Sequence, residues 1–193
     1  MEQSNKRFGA KQIAITAMLL AVCLVSQLFK NLSVFITGPI INACIVLTVL
    51  LVNLPCAILL SVITPVTAFI ITASPIMKAV PAIIPFIMLG NIVLAVAVHF
   101  LMKKDMEKET KKIPGVKCWI MGLISSLLKG LFMGITISLW LLPTFIPEQS
   151  PLRGKMSVFQ TTFSLYQFLT ACIGFIYVFV MWQILKKHAN TVN

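Results

Sequence analysis

An ammonium group in the middle of a lipid-soluble stretch is a chemical problem, and this chain contains one. Lys129 lies near the midpoint of residues 116–142, a run otherwise apolar or weakly polar after Lys117. At about 1.5 Å per residue that run is long enough to cross a bilayer. A lysine at such depth costs about 2.5–3.5 kcal/mol on insertion scales, so it must face a cavity or a partner. The acids of the chain are Glu2, Asp105, Glu107, Glu109 and Glu148, and none falls inside an apolar run. Lys129 therefore has no counter-ion at its own depth. Either its partner is a bound anion, or it bonds backbone carbonyls or hydroxyls, or it snorkels along its four-carbon stem.

Other polar side chains fall near the same level. If each span crosses about 30 Å of hydrocarbon, Thr64, Asn91, Lys129 and Gln167 lie within a turn or two of one depth. Asn42, Thr67, Thr136, Trp140 and Tyr166 are expected above them, towards the outside. Facing one another, these groups would line an outward cavity with amide and aromatic walls and a cationic floor, suited to a small molecule bearing a ring and a carboxylate. Scattered, the same Asn, Gln and Thr residues would be hydrogen-bonding glue between helices.

Catalytic chemistry finds no footing. His99 and His188 sit near helix ends, away from acids and cysteines. With no acid in any span, neither a carboxylate pair nor an intramembrane metal site is expected, and no cofactor. Arg153-Gly154-Lys155 lacks the glycine and hydroxyl pattern of a phosphate-binding loop. Cys23, Cys44, Cys56, Cys118 and Cys172 are scattered without metal-ligand spacing and read as buried, inert thiols.

The elements that must position these groups follow from composition and charge. Of 193 residues 59% are hydrophobic and 11% charged, and the mean hydropathy is +0.98. Such runs belong in a bilayer. The net charge of +11 does not indicate nucleic acid, because the basic residues cluster at the ends of apolar runs. Lys6, Arg7 and Lys11 precede the first run, Lys103, Lys104, Lys108, Lys111, Lys112 and Lys117 share one loop, and Lys186 and Lys187 follow the last. Lys30, Lys78, Arg153 and Lys155 fall in the alternate connections. That bias places both termini in the cytoplasm. The first run continues to Phe29 without a cleavage signal and is expected to stay as a helix.

The expected fold is all-α, a single bundle of six transmembrane helices over residues 12–29, 38–52, 56–72, 81–102, 117–142 and 158–185. Asn53-Leu54-Pro55 splits the uncharged stretch 31–77 into a hairpin. Pro39 suits a first helical turn, which would put Asn42 about one turn below the outer surface. Thr64-Pro65 predicts a kink, with Thr64 available to satisfy freed backbone. Gly130 and Gly134 form a GxxxG that would bring a neighbouring helix close to Lys129. Residues 143–157 form the longest external loop, a candidate lid. Ala10, Ala14, Ala17 and Ala21 recur at steps of four, three and four, a stripe of small side chains on one face of the first helix.

Six spans in this length, both termini inside, the alanine stripe and the segments Gly38-Pro-Ile-Ile-Asn-Ala43 and Pro85-Phe-Ile-Met-Leu-Gly-Asn91 resemble the substrate-binding S-components of energy-coupling factor (ECF) transporters. The resemblance covers essentially the whole chain and rests on loose motifs. It implies a multi-pass protein of a bacterial plasma membrane that captures a vitamin or related micronutrient from outside. It also implies docking, through the stripe Ala10, Ala14, Ala17 and Ala21, to a transmembrane scaffold subunit carrying two ATPases. The implied pocket would draw on Asn91, Lys129, Trp140 and Tyr166, with Asn42, Thr64 and Gln167 as further candidates. A stand-alone facilitator or channel, or a structural membrane subunit without a pocket, are the alternatives. If Lys129 meets an anionic ligand, a Lys129→Met variant should bind that ligand more weakly than the parent in an equilibrium binding assay; equal affinity would remove the anion reading.

Overall fold

The computed structural model describes residues 9–29, 34–108 and 115–189. Of the basic residues used for orientation, Lys6, Arg7, Lys30, Lys111 and Lys112 lie outside them. The elements are helices α1 (Ala10–Leu28), α2 (Val34–Leu51), α3 (Leu54–Thr72), α4 (Pro75–Ala79), α5 (Ile83–Leu101), α6 (Lys103–Lys108) and α7 (Val116–Met133). The last of these continues through a π-helical segment (Gly134–Leu141) into α8 (Leu142–Phe145). A 3₁₀ turn (Arg153–Lys155) then leads into α9 (Met156–Phe163) and α10 (Leu165–Ala189). Six of the resulting rods are long and apolar enough to cross a membrane, the fifth being Val116–Phe145 and the sixth Arg153–Ile184. The chain is an all-α, multi-pass membrane bundle.

Local sequence accounts for most of the boundaries. Asn53 caps α3 by accepting the Cys56 N–H at 2.9 Å, and Pro55 occupies the first turn, where a missing N–H costs nothing. The second span differs from expectation. It begins at Val34, so Pro39 lies inside α2 rather than in its first turn. The proline removes only the bond to the Phe35 carbonyl, and the helix runs on. Asn42 therefore sits about 12 Å along the helix, two turns deep instead of one. Pro65 likewise leaves α3 continuous, and the Thr64 hydroxyl donates to the Leu60 carbonyl rather than to the Ser61 carbonyl that the proline frees. The sixth span is two helices, broken at Ser164 (φ −115°, ψ −83°).

The bundle is built around α2, which packs on α1, α3, α5 and α10. It buries 61% of its spanning window, against 28% for α1 at the periphery. Glycine permits the closest approach. A Cβ on Gly174 of α10 would stand 3.0 Å from the Pro39 carbonyl oxygen and 3.2 Å from the Ala43 nitrogen, both backbone atoms of α2. Gly130 and Gly134 do the same between the fifth and sixth spans, where added methyls would meet Phe168 Cβ at 2.7 Å and Ser164 Cβ at 3.2 Å.

Two apolar clusters result. One gathers Cys23, Ile45, Leu60, Leu94, Met106 and Phe179 at the end that carries α6. The other gathers Ile76, Ile83, Met133, Ile137, Leu142 and Phe163 at the end that carries α4 and α9. The Asp105–Lys117 ion pair (2.8 Å) joins α6 to the start of α7 at the first end, while the second carries Lys78, Glu148, Arg153 and Lys155. The basic bias of the sequence is the ground for expecting the α6 end in the cytoplasm and the α4–α9 end outside. Between the clusters runs a layer of buried polar side chains, among them Asn42, Thr64, Asn91, Ser126, Lys129 and Thr170.

Because Gly174 meets backbone that cannot rotate away, Gly174→Leu should lower stability by about 1–3 kcal/mol, although leucine is the better helix former by about 1 kcal/mol. Gly154→Ala, with nothing within 4 Å of the added carbon, should leave it unchanged. Denaturant unfolding in mixed micelles would measure both.

Candidate functional site

Lys129 is 2% exposed, and its ammonium is held by two side-chain amides. Nζ donates to Asn42 Oδ1 of α2 at 2.5 Å and to Asn91 Oδ1 of α5 at 2.7 Å. Among the described residues no carboxylate pairs with it. It bonds neither backbone carbonyls nor hydroxyls, and it does not snorkel. The three residues come from three helices and are far apart in sequence, so the cluster exists only when the bundle is assembled. Asn42 Nδ2 reaches the Thr170 hydroxyl of α10 at 3.4 Å, and that hydroxyl turns back to the Gln167 carbonyl at 3.3 Å.

Beside this cluster, in the α4–α9 half, lies a cavity of about 280 Å³. Asn42, Asn91 and Lys129 lie along it, together with Thr64 from α3 and Gln167 from α10. Its apolar wall includes Pro65, Met77, Ile87, Phe159 and Phe163. Asn42, which the sequence places above the lysine, is in direct contact with it, because α2 starts a turn earlier than Pro39 suggests.

Five of the seven candidate ligand residues thus border one space, and Trp140 and Tyr166 do not. The reason for Trp140 is helical register. Eleven residues of α-helix make about three full turns, which would stack Trp140 over Lys129. The π-helical segment Gly134–Leu141 intervenes, and its wider i→i+5 turns rotate less per residue. Trp140 consequently falls short of the cavity face and is half exposed, edge-on to Phe86 at 5.8 Å. Tyr166 neighbours Gln167 on α10, and adjacent helical residues point about 100° apart. With Gln167 at the cavity, Tyr166 turns to Phe35, ring centroids 4.9 Å apart.

The expected lid is displaced too. No residue of 143–157 lines the cavity; α9 does, through Val158, Phe159, Thr162 and Phe163. Arg153 of that loop is structural: its Nη1 donates to the Pro143 and Ile146 carbonyls at 3.1 Å each, satisfying the exposed end of α8. Thr67 and Thr136 bond carbonyls of their own helices and take no part.

Sequence reasoning missed two ties. Gln27, 1% exposed, donates from Nε2 to the Thr64 carbonyl at 3.0 Å and so fastens α1 to the cavity wall. Ser138 and Gln160 bond reciprocally: the Ser138 hydroxyl donates to the Gln160 carbonyl at 2.8 Å, and Gln160 Nε2 donates to the Ser138 carbonyl at 3.0 Å. This pair anchors α9 to the π-helical segment. A lone amide in an apolar run was the available signal in both cases.

The alanine stripe faces outward. Ala10, Ala14, Ala17 and Ala21 are all exposed along α1, interleaved with exposed Ile13, Met18 and Val22. Comparison with known proteins adds no kinship, since no family model, no curated protein and no solved structure matches this chain.

The ammonium has only side-chain acceptors in the protein, so Asn42→Leu should cost about 1–3 kcal/mol through the acceptor it removes. Thr136→Val, which removes a hydroxyl bonded only to the Phe132 carbonyl of its own turn, should cost under about 0.5 kcal/mol. Equal losses in micellar unfolding would contradict the structural weight assigned to Asn42.

Proposed function

We propose that this protein captures a small micronutrient-like molecule from the external side of a membrane and hands it on through a partner, as the S-component of an ECF-type transporter does. The observation that carries the reading is the cavity. A membrane bundle that merely needed to stand would fill that space with side chains. Here Asn42, Thr64, Asn91, Lys129 and Gln167, drawn from five helices, border a hollow instead. Convergent polar groups in an otherwise apolar pocket are the ordinary form of a ligand site, and an intramembrane lysine is by default functional.

The second half of the proposal concerns delivery. No phosphate-binding loop occurs in the sequence, so energy for uptake would come from another subunit. The least buried span, α1, presents the alanine stripe on its open face, where a scaffold helix could approach closely and pack. Gln27 joins this same helix to the Thr64 carbonyl at the cavity wall, which gives docking and binding a shared element.

Ala17→Trp places a bulky side chain on the stripe and touches nothing in the cavity. Co-expressed with a scaffold subunit and its two ATPases, this variant should keep its bound small molecule, read by mass spectrometry of the denatured protein. It should lose co-purification with the scaffold and ATP-dependent uptake in liposomes. Unimpaired co-purification would sink the docking assignment. Uptake by the chain alone would replace the proposal with a facilitator.

A further inference from the structure

The hydrogen-bond polarity of the cavity floor goes further than its shape. An ammonium carries three N–H donors and no acceptor. Two of the Lys129 donors are committed to Asn42 Oδ1 and Asn91 Oδ1, and no third bond from Nζ occurs among the described residues. Because lysine can only donate, it dictates which way both amides turn. Their oxygens face the ammonium, and their NH₂ groups are left to face elsewhere. Asn91 Nδ2 has no protein partner among the described residues, although Asn91 is 3% exposed and borders the cavity. Asn42 Nδ2 is turned at 3.4 Å to the hydroxyl of Thr170, a residue that does not line the cavity.

The floor is thus a set of donors. One N–H of Lys129 and the amide N–H groups of Asn91 are without protein partners among the described residues beside the cavity, and both amide oxygens are already used. The charge on the lysine is not cancelled, since amides are neutral. A cation or a ligand amine would meet N–H groups and a like charge. A neutral amide or alcohol could satisfy part of the set but not the charge. A dianion would leave one negative charge uncompensated in an apolar wall, which is strongly unfavourable.

Resting on the capture reading above, we infer that the ligand is a monocarboxylate with a compact apolar body, its carboxylate seated on Lys129 and Asn91. Its body lies against Ile87, Met77, Phe159 and Phe163. At about 280 Å³ the space falls at the small end of ligand pockets, which run from roughly 300 Å³ upward, so the body is of one or two rings or a short chain. Such an acid could arrive from water or, as a fatty acid, from the bilayer. The carboxylate chemistry is common to both.

The test uses the purified full chain in nanodiscs and a matched set of probes: 4-phenylbutyrate, its primary amide, 4-phenylbutylamine and palmitate. Binding is read by calorimetry, with Asn91→Asp beside the parent. That substitution gives Lys129 a carboxylate of its own, so the bundle keeps a partnered lysine while the floor loses the free Asn91 amide donor and its net charge. The expected result is that an acid binds the parent at least tenfold more tightly than the amide and the amine. It should lose at least tenfold on Asn91→Asp, with the melting temperature retained. Preference for 4-phenylbutyrate supports the compact-bodied acid and assigns it to the aqueous side; preference for palmitate keeps the carboxylate seat, assigns the acid to the bilayer and overturns the compact body. Amine or amide binding as tight as that of the acids, or acid binding unchanged by Asn91→Asp, overturns the charge assignment and leaves capture standing. Absence of binding by all four probes at millimolar concentration overturns the carboxylate site, while capture itself stands or falls on the small molecule released from the denatured parent.

Discussion

Everything in the outer half of this bundle follows from one requirement: a lysine ammonium buried at mid-depth must be met by acceptors. Lipid supplies none, and an unmet charge there would cost several kcal/mol. The protein meets it with Asn42 and Asn91, one from the central helix and one from α5, so the lysine ties three spans at a single point. Bonds between distant segments are specific in a way that apolar contacts in lipid are not. Leucine meets leucine in almost any rotation of a membrane helix, whereas one ammonium and two amide oxygens meet in very few. The cluster therefore fixes the rotation of α2, α5 and α7 together, and with it the face each turns to the cavity.

That geometry is possible only because the backbones approach closely nearby. Gly174 lets α10 settle on Pro39, Asn42 and Ala43, and Gly130, next to the lysine, lets Phe168 of α10 pack directly on the fifth span. Apolar packing and polar bonding are coupled here in both directions. Without the glycines the helices stand apart and the amides miss the ammonium; without the amides nothing selects the rotation that puts glycine against backbone. The π-helical segment completes the arrangement. It directs Ser138 to Gln160, anchoring α9 over the space, while taking Trp140 off the cavity face.

Much of this is legible in the sequence, for definite reasons. Uncharged runs locate the six spans because the bilayer thickness sets their length, and Asn53-Leu54-Pro55 marks a turn because capping and proline chemistry are local. The importance of Lys129 is legible because a charge in an apolar run is costly and must be met by something. What is not legible depends on phase accumulated along a helix. Pro39 looks like a helix start, and moving that start back to Val34 changes the depth of Asn42 by a turn. Trp140 is in register with Lys129 in any α-helix, and no residue in Gly134–Leu141 announces the wider turns that rotate it away. Gln27 and Thr64 meet through a backbone carbonyl, which carries no sequence signal at all.

The choice of partner for the lysine separates a structural role from a binding one. If stability alone were at stake, the economical solutions are an apolar residue in place of Lys129, or a carboxylate to cancel it. Replacing buried charge by well-packed apolar groups is often neutral or stabilising. Amides do something different from either. They supply enough acceptor strength to hold the ammonium in place, yet they leave its charge intact, and the Asn91 amide N–H groups remain without a protein partner among the described residues. The cluster is satisfied as a fold element and unsatisfied as an electrostatic one. A buried positive charge left unneutralised beside an unfilled cavity is the feature on which the proposed capture of an anion rests.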